Sequence, residues 1–434
     1  MTVRRIEVIE GQGFALTPHE GERLRAAIER LRAQVRPRFS LLAEEAGKFR
    51  LTNVIGTVDV GGGLIIEVAP KVPTNSDWTT AVVSLLTGRE GVDIAGERQA
   101  GTSRLHNKLL DAVSGAYLAR LERAFRQEGP IMLMERHTTE LPLLQGKLDV
   151  TKWARTALWR PHIFPVTRTQ LAQDNPFTQG LVLVANTLAN ASSSQRTKTG
   201  LRALARDLAA GVADGVAVSP GLASRSLPEQ WSAYKPAWAL ATAVLSKSSL
   251  LGPTGRHAGV GLAIEAWPLL ETLLERTLQA VERVGKRSAR QFSCRMQGQG
   301  RLLKALGPKP QTGFDPQPDG RLFESGKLVA SFEAKYTMFD STAPQREHTY
   351  QALSTAAACG APLAVLTYPG RFSPLVWEVS GFNGTPSHLV AVGMDMFKWL
   401  PPGSADTRGE GLLTLLDGLR NASNAPALAS SVPA

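Results

Sequence analysis

Three side chains carry the chemistry this sequence offers most clearly: Asp319 in Pro318-Asp319-Gly320, and Glu333 and Lys335 in Glu333-Ala334-Lys335. The first triplet begins a strand and the second ends the next, with Glu324-Ser325-Gly326-Lys327 as the turn. A hairpin centred on Gly326 sets residue 319 opposite residue 333. Cross-strand partners hold their Cβ atoms roughly 5 Å apart on one face. Period-two alternation puts Lys335 on that face and sends Leu328, Ala330, Phe332 and Ala334 to the other, apolar side. Two carboxylates and an ammonium then converge at one end of the hairpin.

Phosphodiester hydrolysis uses such a set. Asp319 and Glu333 can hold Mg2+ (or Mn2+) through hard oxygen ligands, and the backbone carbonyl of Ala334 is a natural further ligand. The metal would polarise the phosphate and acidify a bound water. Lys335 can orient that water or stabilise charge on the phosphate in flight. A helix follows, with Tyr350-Gln351 in its first turns, so Gln351 joins the candidate catalytic set; an apolar strand, Leu363 to Thr367, comes next. This is the order of a PD-(D/E)xK nuclease core. The helix upstream of Asp319 is expected to supply a further acid, Glu271 first and Glu265 in reserve. An acidic-x-Lys triplet alone is a weak motif. The competing reading is a solvated hairpin with a surface ion pair.

Between the Glu271 helix and Asp319 lies a run of cations. Lys286, Arg287, Arg290, Arg295, Arg301 and Lys304, with Arg283 and Lys309, suggest contacts to DNA phosphates. The whole chain shares the bias: 49 Lys and Arg stand against 38 Asp and Glu, a formal charge of +11, which suits a polyanionic partner.

Other chemistries find little support. No GxxxxGK[ST] occurs, so no nucleotide is expected on a P-loop of this chain. HExxH and GxSxG are absent, and the seven His show no metal-ligand spacing. Cys294 and Cys359 form no CxxC and read as buried thiols in a reducing compartment. No apolar run reads as a signal peptide or a membrane span, so the expectation is a cytoplasmic protein without a membrane partner.

The elements that must position the site divide the 434 residues into several units. Residues 1–100 read as a small α+β module: a strand at Arg5 to Ile9, a helix opening on the capping box Thr17-Pro18-His19-Glu20, and a β-run Phe49 to Val60 turning through three glycines into Leu64 to Val68. Residues 101–240 read as mostly helical, broken at Gly146 to Val150. Residues 241–400 hold the nuclease unit, a long helix from Gly259 to Val284 followed by alternating strands and helix in a mixed sheet. Residues 401–434 hold a last helix, about Gly409 to Arg420, and a small, polar tail expected to be disordered. The fold class is thus α+β multidomain with a C-terminal α/β nuclease fold.

Several stretches together resemble the McrC family, the nuclease subunits of McrBC-type modification-dependent restriction systems. They are LTNVIGTVDVGGGLIIEVAPKV, LLQGKLDV with DNPFTQGLVLVANTL, AWPLLETLLERTL, the Pro-Asp at 318–319, EAKY at 333–336, YQ at 350–351 and VLTYP at 365–369. Glu333 stands where the family usually has Asp, and Thr355 where an aromatic often follows the Gln. The resemblance implies a defence endonuclease, working with a separate McrB-like AAA+ GTPase hexamer that recognises modified DNA and whose hydrolysis it stimulates. Residues 1–100 would be the docking module. The alternatives are a non-catalytic DNA-binding adaptor of an NTPase and a stand-alone nuclease.

Overall fold

The structure, a computed structural model, describes residues 4–35, 39–72, 78–87, 108–209, 222, 225–247, 263–297, 315–339, 342–380, 385–398 and 403–424. They form a mixed α/β arrangement of helices around four sheets.

The N-terminal sheet holds β1 (Arg4–Ile9), β6 (Leu64–Ala69), β5 (Val54–Gly61) and β10 (Ala263–Glu265), in that order. β1 runs parallel to β6; β5 is antiparallel to β6 and to β10. Helix α1 (Pro18–Val35) covers it with Leu24, Ile28 and Leu31. The capping box forms as read: the Glu20 amide donates to Thr17 Oγ1 at 3.3 Å, and the Thr17 amide to Glu20 Oε2 at 3.0 Å. Such caps are worth about 1 kcal/mol. The expected single run from Phe49 to Val60 is two strands, β4 (Lys48–Leu51) and β5, because Asn53 turns the chain at φ 57. β4 pairs instead with β2 (Gly13–Phe14) and β3 (Leu42–Glu45).

The middle of the chain is a helical core with an arm. Helices α2 (Trp78–Thr87), α3 (Lys108–Glu128), α5 (Pro176–Ala191), α6 (Gln195–Ala209) and α7 (Lys235–Lys247) share one large apolar cluster. The expectation of mostly helix here misses two nine-residue strands, β7 (Leu133–Leu141) and β9 (Phe164–Ala172), which pair with each other, β9 pairing on its other edge with β8 (Lys147–Leu148). The short α4 (Val150–Thr156) packs on β9 and buries none of its residues. Asn175 ties the root of this arm: its Nδ2 reaches the carbonyls of Ile131, Ala172 and Gln173, and its Oδ1 accepts from the Thr178 amide.

The third unit is a six-stranded sheet, ordered β11 (Phe292–Met296), β12 (Gly320–Glu324), β13 (Lys327–Ala334), β14 (Leu363–Pro369), β16 (His388–Met394), β15 (Leu375–Glu378). β13, β14 and β16 are parallel; the outer pairs are antiparallel. Helix α8 (Trp267–Arg287) lies on one face through Leu269, Leu270, Leu273, Leu274, Leu278 and Val281. Its start is later than expected, because residues 263–265 are the strand completing the N-terminal sheet. The other face carries α9 (Arg346–Cys359), whose Ala352 and Ala356 pack with Ala364, Leu366 and Tyr368. The last helix, α10 (Ser404–Asn424), lies against α8, where a Cβ on Gly409 would meet the Ala280 carbonyl carbon at 3.0 Å. The tail after 424 lies outside the described residues.

Candidate active site

The hairpin β12–β13 decides which side chains meet. Ser325 and Gly326 form a two-residue turn with φ of 48 and 80, so Glu324 pairs with Lys327 and Phe323 with Leu328. That register alone would set Asp319 against Phe332. A bulge follows Phe323: Leu322 pairs with Ala330, and the pairing continues to Gly320 with Phe332. The extra residue restores the register that places position 319 beside 333. The expected end register therefore holds, through a tighter turn and a bulge rather than a hairpin centred on Gly326. One apolar assignment changes with it. Leu328 packs with the α9 cluster, while Val329, Ala330 and Phe332 join the large core.

At the end of β13 the polar groups are closely tied. Asp319 Oδ2 accepts from the Ala334 amide at 2.7 Å. Glu333 Oε2 accepts from Lys335 Nζ at 3.0 Å and from Gln351 Nε2 at 2.9 Å. Gln351 Oε1 in turn accepts from Lys335 Nζ at 2.9 Å. The cluster is no solvated surface pair, since Glu333 is 2% exposed. Burial pushes its carboxyl pKa up, the Lys335 ammonium pulls it down, Asp319 raises it again, and the Thr355 hydroxyl lowers it. The net direction is upward.

Sequence reasoning missed His348, one turn before Gln351 on α9, whose Nδ1 lies 3.1 Å from the Tyr368 hydroxyl. Burial and then the Lys335 charge hold its pKa down. The i, i+3 spacing to Gln351 was the available signal. Tyr336, directly after Lys335, was also unassigned; its hydroxyl donates to Glu10 Oε2 at 2.7 Å.

The donor set suits a hard divalent cation in one respect. Glu333 Oε1 is buried beside Asp319 without a well-formed hydrogen bond among the described residues, and Mg2+ commonly takes one or two carboxylates with waters and substrate oxygens. Among the described residues no group of three or more His, Cys, Asp or Glu side chains is placed to hold a metal ion, so Glu271 is not brought to the pair. Glu271 lies on α8, two turns before Leu278, the residue that packs against Gly320. Glu265 lies on β10 opposite Val54, in the N-terminal sheet. Ala334 meets Asp319 through its amide rather than its carbonyl.

The basic run is partly consumed within the fold. Arg290 holds Asp417 with both terminal nitrogens, at 2.6 and 2.8 Å, and Glu324 through Nε at 2.8 Å. Arg287 and Arg283 pair with Asp406. These arginines strap α10 to α8 and β12, so each already has a carboxylate partner within the fold. Lys286 and Arg295 are exposed, with the Arg295 guanidinium 5.1 Å from the Phe323 ring centroid. Arg301 and Lys304 lie outside the described residues.

Comparison with known proteins bears on the fold and the family. The chain resembles a solved chain in the half-complex of Thermococcus gammatolerans McrB AAA+ hexamers with bound McrC, at TM-score 0.63 and 14% identity, covering 95% of this chain and all of that one. A second match, in the Thermococcus gammatolerans McrBC complex, has TM-score 0.46 and 14% identity over 64% of this chain and 88% of that one. No curated protein matches. At such identity the first likeness shows the fold. The family model described as "McrBC 5-methylcytosine restriction system component" matches residues 49–369, about three quarters of the chain and including Asp319, Glu333, Lys335 and Gln351, so the chain belongs to that family.

Proposed function

We propose that this chain is the endonuclease subunit of a McrBC-type complex, hydrolysing DNA phosphodiesters at a PD-(D/E)xK centre. The observation that carries the reading is the hydrogen-bonded set of Asp319, Glu333, Lys335 and Gln351 at one end of β13. Helix α8, strands β11, β12 and β13, helix α9 and strand β14 surround it in the order expected of such a core.

Asp319 and Glu333 would hold Mg2+ or Mn2+, which when bound supplies Lewis acidity and a water of lowered pKa. The protein's own part is positional. The Ala334 amide fixes the Asp319 carboxylate. Gln351 fixes Glu333 and Lys335 together, so the ammonium is already oriented before substrate arrives. A preorganised cation beside the scissile phosphate stabilises the charge that develops there. Exposed Lys286 and Arg295 would contact the DNA backbone.

The partner would be an McrB-like AAA+ GTPase hexamer, as in the archaeal assembly that this chain resembles. The arm is the better docking element than residues 1–100, because Leu143, Leu144, Val150, Leu158 and Trp159 are all exposed on it. The test is DNA cleavage by the full chain with the partner GTPase, GTP and Mg2+. Asp319→Ala should lose cleavage by roughly 100-fold or more and keep stimulating GTP hydrolysis. Wild-type cleavage by that variant moves the catalytic centre elsewhere. Loss of stimulation in a folded Asp319→Ala protein favours the adaptor reading.

A further inference from the structure

Lys335 is held from two sides. Its own side chain faces α9, bonded to Gln351. The next residue, Tyr336, packs with the large core on the other side, as alternation along an extended chain requires. β13 has ended at Ala334, and Tyr336 is fixed by side-chain contacts. Its ring stands edge-on to Phe397 at 6.4 Å, and its hydroxyl donates to Glu10. Glu10 follows β1, and lies 326 positions away in sequence. Lys71, just after β6, completes the group: its Nζ lies 4.4 Å from the Tyr336 ring centroid and 3.7 Å from Glu10 Oε1. The Asn53 amide gives Glu10 Oε1 a further donor at 2.8 Å.

The Glu10 side chain is 1% exposed. A buried carboxylate is a poor means of gaining stability, since an apolar residue of like size usually does as well or better. What a buried charge with three directional partners does supply is register. Here that register fixes the residue bonded to Lys335, whose amide donates to the Thr367 carbonyl at 2.8 Å and whose carbonyl accepts from the Thr337 amide at 2.8 Å.

We propose that Glu10, Lys71 and Tyr336 form a clamp that positions Lys335 for cleavage, making the N-terminal sheet a working part of the nuclease centre. This rests on the nuclease reading above. Glu10 and Tyr336 are positioning residues: they touch neither substrate nor metal, and act through the backbone of Lys335.

The experiment uses the full chain with the partner GTPase, GTP and Mg2+, and measures single-turnover cleavage at saturating DNA. Tyr336→Phe removes one oxygen and Glu10→Gln one charge. Each should slow cleavage roughly ten- to a hundred-fold, the scale of a small misplacement of a catalytic group. DNA affinity and GTPase stimulation should stay at wild-type levels. The double variant should be no slower than the worse single, because both cut one link. Lys71→Arg should retain activity that Lys71→Met loses. A merely structural role would instead lower melting temperature and every activity together, and would overturn the clamp. So would wild-type cleavage by Tyr336→Phe alongside an inactive Asp319→Ala. If Asp319→Ala also cuts normally, the underlying nuclease assignment fails, and the clamp with it.

Discussion

The six-stranded sheet and the β7–β9 arm are both built of strands, and they treat their surfaces in opposite ways. The sheet is covered on both faces, by α8 and by α9, and β14 is buried along its whole length. Among the described residues the arm has far less cover: Trp159 is 82% exposed and Leu158 86%. A covered sheet holds side chains still, and an uncovered apolar arm gains by burying itself against something else. On the proposed reading, the contrast separates a region that positions from one that makes contact.

The sharpest way to break that contrast is Lys335→Ala. Cleavage should fall at least about 100-fold while the GTPase stimulation proposed for the arm persists; parallel loss of both would mean that the regions are not separable. The converse is Trp159→Ser in the arm. Stimulation of the partner should weaken by roughly 30-fold in affinity, the scale of an interface hot spot, with no change in melting temperature because the ring is already in water. A fall in melting temperature would show that the ring is packed in the free protein. Next in size is Asn175→Ala at the arm's root. It leaves buried carbonyls without a donor and should destabilise by about 1–3 kcal/mol in urea titration. Wild-type stability would mean that the hub is dispensable.

The smallest effect concerns Glu333 and runs against intuition. Its pKa is raised on folding, so its favourable contribution is present below the unfolded pKa and lost as pH rises through the folded one. Glu333→Gln, neutral throughout, should therefore melt higher than wild type at neutral pH without divalent metal, by roughly 2–4 °C. The gap should close as the pH is lowered toward the unfolded value. Mg2+ should raise the wild-type midpoint and leave the variant unmoved. A variant that melts lower at neutral pH, metal-free, would show Glu333 to be a stabilising charge.

What the sequence made legible was local or chemically distinctive. Thr17 and Glu20 sit three apart and cap each other, so spacing alone was enough. Asp319, Glu333, Lys335 and Gln351 were picked out because few residue types suit the proposed chemistry, and they meet where the start of β12, the end of β13 and α9 come together. The rest depended on distant partners. The strand Ala263–Glu265 is three residues long and earns its place by pairing with Val54 to Gly56, some two hundred residues earlier. Arg290 looked like a phosphate ligand because its acids, Asp417 and Glu324, lie far along the chain or across a turn. The arm strands escaped notice because residues such as Met134 and Leu171 face water, which erases the inside–outside alternation that marks a strand.

The 326-residue separation of Glu10 and Tyr336 also bears on when the proposed site can form. Chains leave the ribosome at about 5–20 residues per second. The proposed centre draws on Glu10, on Glu333 and Gln351 much later in the chain, and on a backbone acceptor at Thr367 later still. Tens of seconds of synthesis therefore separate its earliest part from its latest, and on the proposed nuclease reading a nascent fragment that stops short of Thr367 would carry no finished cutting site.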